Sequence, residues 1–280
     1  MTIKIVTDST CDLPREVIEK YDITVIPAYI NFSDGSYLDG VDITRKEFYE
    51  KLPNYETPPT TSAPAIGTFA KAYQKLISDG ASHILSIHIS SALSGIYNVA
   101  VFAAESMENL AVKTFDPGNL SLGTGLVVEA AAKMAEAGKS IEEILSKLKD
   151  IAERTYTFAA LDTLKFLQRS GRISRLKAGF GSLLQIKPIL KMNSGKINMD
   201  AARTSKGAFN HLLNTLKSLG PVESIALVHT NAPERAEQLR EQAKSIIDKV
   251  IDAYSMEVTP VIGSHIGPGA VGFVVVKASE

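Results

Sequence analysis

The sequence predicts an α/β chain: an N-terminal, mostly parallel sheet with helices on both faces over residues 1–155, then an α+β unit with a mixed sheet over 156–280. Three observations lead there. Apolar strand-like runs alternate with single helical segments up to about Thr155, and such alternation calls for parallel strands joined by crossover helices. Beyond that point two β-rich segments, Lys187–Asn193 and Lys196–Ala202, flank Ser194-Gly195, a hairpin signature. Finally, a chain of 280 residues is long for one core, so one large or two modest domains is the expectation.

The elements follow in order. Ile3–Thr7 reads as a buried strand, and Asp12 is expected to cap a helix over Leu13–Tyr21 with Pro14 in its first turn. Thr24–Ile30, rich in β-branched residues, reads as one strand, with a turn at Asp34-Gly35. Thr44 caps a short helix to Leu52, and the three prolines within 53–59 require a loop. In Pro64–Ile77 the residues Ile66, Phe69, Tyr73, Leu76 and Ile77 fall on one helical face. Strand Ile84–Ile89, helix Ser94–Met107, strand Ala111–Phe115 and helices Ser121–Ala137 and Ile141–Thr155 complete the first half. The second half begins with a short strand, Phe158–Leu161, and the hairpin. Helix Ser205–Lys217, strand Ser224–Thr230, helix Pro233–Asp248 and strands Ile251–Val258 and Val271–Val276 follow. The segment Gly263–Ala270, with three glycines and a proline around His265, reads as a sharply shaped loop.

Composition narrows the function classes. A hydrophobic share of 45% and a charged share of 22% suit a soluble globular protein. The formal net charge of −1 supplies no general attraction to nucleic acid or to an anionic membrane. Cys11 is the single cysteine, so no internal disulfide can form and a reducing, cytoplasmic setting is expected. Asp8 interrupts the N-terminal apolar run too early for a secretory signal. No apolar run approaches the ~18 residues that would span a bilayer.

The candidate site lies where strands should end. Apolar Ile84–Ile89 runs into Ser90-Ser-Ala-Leu-Ser94-Gly95, which opens a helix. Free backbone N–H groups and a helix dipole at such a junction favour an anion. Thr60-Thr61-Ser62-Ala-Pro64 reads as a second hydroxyl-rich helix start, and Thr7-Asp8-Ser9-Thr10 ends the first strand. Ligands of parallel sheets bind at these carboxyl ends. Ordinary capping, at about 1 kcal/mol per cap, competes with the ligand reading at each turn. Asp8 would repel an anion, so its expected role is to organise turn amides. His265 is a candidate ligand contact, whereas His83, His88, His211 and His229 lack metal-ligand spacing. Between Leu161 and Lys191 the basic residues Lys165, Arg169, Arg172, Arg175, Lys177, Lys187 and Lys191 face the single acid Asp162. That stretch is either a solvated face or a dock for a phosphate or an acidic partner. Carboxylates beside Cys11 disfavour its thiolate.

Taken together, Val6-Thr-Asp-Ser-Thr-Cys-Asp-Leu-Pro14, Thr60-Thr-Ser-Ala-Pro64, Ser90-Ser-Ala-Leu-Ser-Gly95, Leu161-Asp-Thr-Leu-Lys-Phe-Leu-Gln-Arg-Ser-Gly-Arg-Ile173 and Gly263-Ser-His-Ile-Gly-Pro-Gly269 resemble the DegV family. These are fatty-acid-binding subunits of bacterial fatty acid kinase systems. The resemblance implies two domains that grip one long-chain fatty acid between them. It implies that Thr61 or Ser62, Ser94 with the Gly95 amide, and His265 hold the carboxylate. It implies a separate kinase subunit that phosphorylates the carboxylate with ATP, with Arg169 and Arg172 near the surface used for kinase contact. No cofactor, metal or nucleic acid is implied. The chain departs from the family pattern at Ala63, Ala65, Ile96 and Pro117, where polar groups near the head group are replaced. Two other readings stand beside this one. In the first, a hydrolase or transferase acts on an acyl or phosphorylated substrate with Ser94 as nucleophile and His265 as base. In the second, a regulator docks a protein through its basic stretch.

Overall fold

The computed structural model describes residues 2–52, 55–107, 112–172, 186–248 and 253–279. In chain order, strand β1 (Ile3–Asp8) leads through a 3-10 turn (Ser9–Cys11) into helix α1 (Arg15–Lys20). Strands β2 (Thr24–Ile26), β3 (Tyr29–Phe32) and β4 (Gly35–Leu38) follow, then α2 (Arg45–Lys51), β5 (Thr60–Ser62), α3 (Ile66–Ser78), β6 (His83–Ile87) and α4 (Ile96–Glu105). Next come β7 (Val112–Phe115), α5 (Leu122–Glu136), α6 (Ile141–Glu153), β8 (Thr155–Ala160) and α7 (Lys165–Arg169). The chain continues with β9 (Lys187–Asn193), β10 (Lys196–Ala202), α8 (Ser205–Ser218), β11 (Val222–His229) and α9 (Pro233–Ala243). It closes with β12 (Tyr254–Glu257), α10 (Pro260–Ile266) and β13 (Val271–Lys277).

Strands β2-β1-β6-β7 form a parallel four-stranded sheet. A mixed six-stranded sheet runs β10-β9-β8-β13-β11-β12, antiparallel except for the β11–β12 pair. Both sheets match the fold class expected from the sequence, and the hairpin strands β9 and β10 have the expected limits. Helices cover both faces of the parallel sheet. Phe69 and Tyr73 of α3 and Ala100 and Ala103 of α4 pack with Val6 and Ile84 on one side. Leu122, Val127, Val128 and Ala131 of α5 pack with Ile5, Leu85 and Ile87 on the other. That second core continues into Ala226, Val228 and Val274 of the mixed sheet. Helix α5 is therefore sandwiched between the two sheets, and at Gly123 it leaves room for the Asn119 and Thr157 side chains. A Cβ at Gly125 would sit 2.3 Å from the Cys11 carbonyl oxygen.

The largest departure from expectation is a third sheet, β4-β3-β5, antiparallel throughout. The sequence predicts one strand over Thr24–Ile30. The structure ends β2 at Ile26 and starts β3 at Tyr29, because Pro27 has no N–H to donate to a ladder. The second strand that resulted is what Thr60–Ser62 pairs with, so this segment is a strand and not a helix start. Helix α1 also begins later than expected, with Pro14 at its N-cap position and no side-chain cap, while Asp12 terminates the 3-10 turn. Thr44 caps α2 as expected, and Glu47 returns the bond to form a capping box. Strand β12 begins at Tyr254, and the earlier part of the expected strand at 251–252 lies outside the described residues. Among the described residues no helix is long and apolar enough to cross a membrane.

Helix α5 supplies the first test. Leu122 is fully buried between the sheets, so Leu122→Ala should cost about 2–5 kcal/mol. Urea unfolding should show a lower midpoint with an unchanged slope.

Candidate functional site

The site is built at the carboxyl ends of β1 and β6. Asp8, the last residue of β1, is fully buried and accepts hydrogen bonds on both oxygens. Its Oδ1 takes the Thr10 amide at 3.0 Å and the Thr10 hydroxyl at 2.5 Å. Its Oδ2 takes the Ile89 amide at 3.2 Å and His88 Nδ1 at 2.9 Å. Burial pushes the carboxyl up, but His88 and Thr10 outweigh it and leave Asp8 below the usual carboxylate range. This is the role of turn organiser that the sequence suggested for Asp8.

Behind Asp8 the polar chain continues inward. His88 Nε2 lies 2.6 Å from Ser86 Oγ, which lies 2.8 Å from the Tyr73 hydroxyl. All donors are used if Tyr73 donates to Ser86, Ser86 to Nε2, and Nδ1–H to Asp8. Burial pushes the Tyr73 phenol up to about 12, against the opposing pull of Ser86. Ser86, His88 and Asp8 have the connectivity of a hydrolytic triad, but all three are 0% exposed. The arrangement is sealed beneath Phe69, whose ring packs edge-on against His88 at 5.2 Å. Its chemistry is structural, since no substrate atom can reach the serine in this arrangement. In the sequence His88 is one of several scattered histidines. A histidine at one strand end and an aspartate at the end of the neighbouring strand were the available signal.

The turns fixed by Asp8 border a partly open cavity. Its polar lining is Thr10, Thr61, Ser94, His265 and Arg172. The apolar wall draws Ile89, Leu93 and Leu120 from the first half of the chain and Leu167, Leu190 and Ile197 from the second. Helix α10 closes it with Val261, Ile262 and Ile266.

The structure thus brings Thr61, Ser94 and His265 into the lining of one cavity. Thr61 Oγ1 and His265 Nε2 are 2.9 Å apart. Strand alternation decides between the two hydroxyls of β5: Thr61, paired with Ile30, faces inward, while Ser62 is exposed and accepts from Asn31 Nδ2 at 3.3 Å. Ser94 precedes α4, and its Oγ accepts the Ile96 amide at 3.3 Å. Gly95 is exposed and lies outside the cavity lining. His265 does not sit in a loop. It occupies the last turn of α10, a helix that starts at Pro260. The glycines that suggested a loop serve close packing: a Cβ at Gly263 would meet the Tyr49 hydroxyl at 2.3 Å, and one at Gly267 would meet the Phe166 ring at 2.2 Å.

The basic stretch divides. Arg169 is exposed, whereas Arg172 is half-buried, lines the cavity and donates to the Ser170 carbonyl at 2.7 Å. Lys187 pairs with Asp162 at 2.6 Å and Lys191 with Asp200 at 2.7 Å, so this face is less basic than the sequence suggested. Arg175 and Lys177 lie outside the described residues. Cys11 is buried, and burial, with Asp8 and Asp12 adding to it, pushes its thiol up to about 12. Among the described residues no group of His, Cys, Asp and Glu could hold a metal ion.

The DegV family model matches residues 2–278. The chain belongs to the DegV family. It is 37% identical to a DegV domain-containing protein of Staphylococcus aureus over 278 residues, 98% of each chain. A fatty-acid-binding DegV family protein from Thermus thermophilus superposes with a TM-score of 0.91 at 32% identity, covering 99% of this chain and 100% of that one. A stearic-acid-binding protein from Eubacterium ventriosum superposes with a TM-score of 0.90 at 26% identity, covering 98% of both.

The Asp8 network supplies the second test. Asp8→Asn leaves the His88 and Ile89 donors without their carboxylate and should cost about 3–5 kcal/mol near neutral pH. Because folding lowers the Asp8 pKa from 3.8, its contribution is complete above that value and lost as pH falls through the folded value. Melting curves from pH 7 to pH 3 should show the gap between parent and variant narrowing below about pH 3.8.

Proposed function

We propose that this protein binds one long-chain fatty acid, encloses its tail in the cavity and orients its carboxylate for a separate ATP-dependent kinase. The observation that carries the reading is the Thr61–His265 pair, 2.9 Å apart, on the wall of a cavity whose remaining lining is mostly apolar. A polar pair in a cavity that an arginine also lines suits a carboxylate, and the mostly apolar remainder suits an acyl tail. Relatives with the same fold that bind fatty acids support it.

Magnitudes divide the roles. Each buried methylene is worth ~0.8 kcal/mol, so a C16 tail offers on the order of 10 kcal/mol before association costs. A hydrogen bond to a charged group nets about 1.5–3 kcal/mol. The tail therefore sets affinity, while Thr61, Ser94 and His265 set where the carboxylate points. Arg172, on the cavity wall, is assigned here to the carboxylate as well, since a guanidinium pairs with both of its oxygens. Arg169, exposed one turn earlier, is left for the kinase surface. The kinase would transfer the γ-phosphoryl group of ATP to a carboxylate oxygen, giving an acyl phosphate and ADP. In this reading residues 1–155 and 156–280 act as two units closing on the ligand, in the cytoplasm.

The test uses delipidated protein titrated with palmitate. Thr61→Val and His265→Ala should each weaken binding about 10–100-fold, the range of one charge-assisted hydrogen bond. Ser94→Ala should retain palmitate within about tenfold but lose most acyl phosphate formation with a cognate kinase and ATP. Equal losses of binding and turnover would remove the orienting role. Release of product from an ester substrate, abolished in Ser94→Ala, would favour the hydrolase reading instead.

A further inference from the structure

Two non-glycine residues near the cavity sit on the left-handed side of backbone space and are hydrogen-bonded to each other. Asp12, at the end of the 3-10 turn, has φ 55° and ψ 19°. Ser121, just before α5, has φ 52° and ψ −142°. Such conformations persist where the surroundings over-determine them. Ser121 Oγ donates to Asp12 Oδ2 at 2.6 Å. Asp12 Oδ1 accepts the Thr259 amide at 2.9 Å and lies 3.0 Å from Arg45 Nη2. The Asp12 side chain is 0% exposed. It is not part of the cavity lining.

Each partner of Asp12 leads into a different wall of the cavity. The turn that Asp12 ends carries Thr10. Ser121 follows Leu120 directly, and Leu120 is a wall residue. Thr259 precedes α10, the helix that bears Ile262 and His265. Helix α2 reinforces this last attachment: Arg45 also donates to the Glu257 carbonyl, and the Tyr49 hydroxyl donates to the Val258 carbonyl at 2.9 Å. The Thr259 hydroxyl donates to Asp39. Burial pushes the Asp12 carboxyl up to about 6, while Arg45, Ser121 and the Thr259 amide pull it back. The Thr259 amide and the Arg45 guanidinium charge thus meet at one oxygen of a desolvated carboxylate, while the Ser121 hydroxyl holds the other.

We propose that Asp12 is a positioning residue for the head-group site: it ties the Thr10 turn, the Leu120 loop and helix α10 together and so holds His265 against Thr61, without touching the ligand. The effect on affinity rests on the fatty acid reading above. The effect on His265 does not, because it is read in protein without ligand.

The test compares Asp12→Asn, Ser121→Ala and Arg45→Lys with Leu148→Ala, a fully buried core change with no part in the cavity lining. Asn keeps the volume of Asp and tolerates a left-handed backbone, so Asp12→Asn isolates the charge. Two readouts are taken: the His265 imidazole nitrogen resonances in delipidated protein, and the dissociation constant for palmitate. Asp12→Asn and Ser121→Ala should shift the His265 Nε2 resonance and weaken palmitate binding about tenfold. Leu148→Ala should lower the melting temperature at least as much and leave both readouts unmoved. An unshifted His265 resonance in folded Asp12→Asn and Ser121→Ala overturns the proposal, as does a shifted resonance with unchanged palmitate affinity. A shifted resonance in a protein whose parent takes up no palmitate upholds the positioning and sinks the fatty acid reading instead.

Discussion

The structure depends first on the buried carboxylate of Asp8. Strands β1 and β6 are neighbours in the parallel sheet, and their ends would diverge into separate loops without a shared acceptor. Asp8 takes the amides of Thr10 and Ile89, one from each loop, and His88 just beyond the end of the second strand. The desolvation of a carboxylate in this position is offset only because every lone pair has a donor. Both loops then border the cavity, Thr10 on one side and Ile89, Leu93 and Ser94 on the other.

A second constraint joins the two sheets. Asn119 lies in the loop between β7 and α5; its Nδ2 donates to the Thr155 carbonyl at 3.1 Å, and its Oδ1 accepts the Thr157 hydroxyl at 2.6 Å. Its own carbonyl accepts the Ser90 amide at 2.9 Å. One side chain and its backbone thus relate the β6 loop to the edge of strand β8. Helix α5 fills the space between the sheets with apolar side chains. The mixed sheet brings Leu190 and Ile197 of its hairpin to the cavity that the hydroxyl turns also line. A mostly apolar lining with a few polar side chains follows from this stacking and makes the cavity suited to an amphipathic ligand.

Much of this was legible in the chain before the structure. Period and punctuation located the parallel strands, their helices and the Ser194-Gly195 hairpin, because each is a local pattern with a local cause. Thr61 and Ser94 stand out in the sequence as hydroxyls at expected helix starts, and His265 for the three glycines and the proline around it. What escaped the sequence is non-local. The strand Thr60–Ser62 exists only because Pro27 splits its partner, and three residues carry no period of their own. Helix α10 was masked by Gly263 and Gly267, whose reason is the close approach of Tyr49 and Phe166 from distant segments. The Ser86–His88–Asp8 chain spans neighbouring strands, and no spacing rule announces it. Arg172 read as surface charge, yet it turns inward to line the cavity.

The central claim is that the cavity holds a long-chain fatty acid. Native mass spectrometry of gently purified protein tests it most directly. A bound species of about 250–300 Da is expected, the range of C16–C18 acids, retained through burial of its tail and lost on mild denaturation. A homogeneous mass matching the bare polypeptide, unchanged after incubation with palmitate, would contradict it.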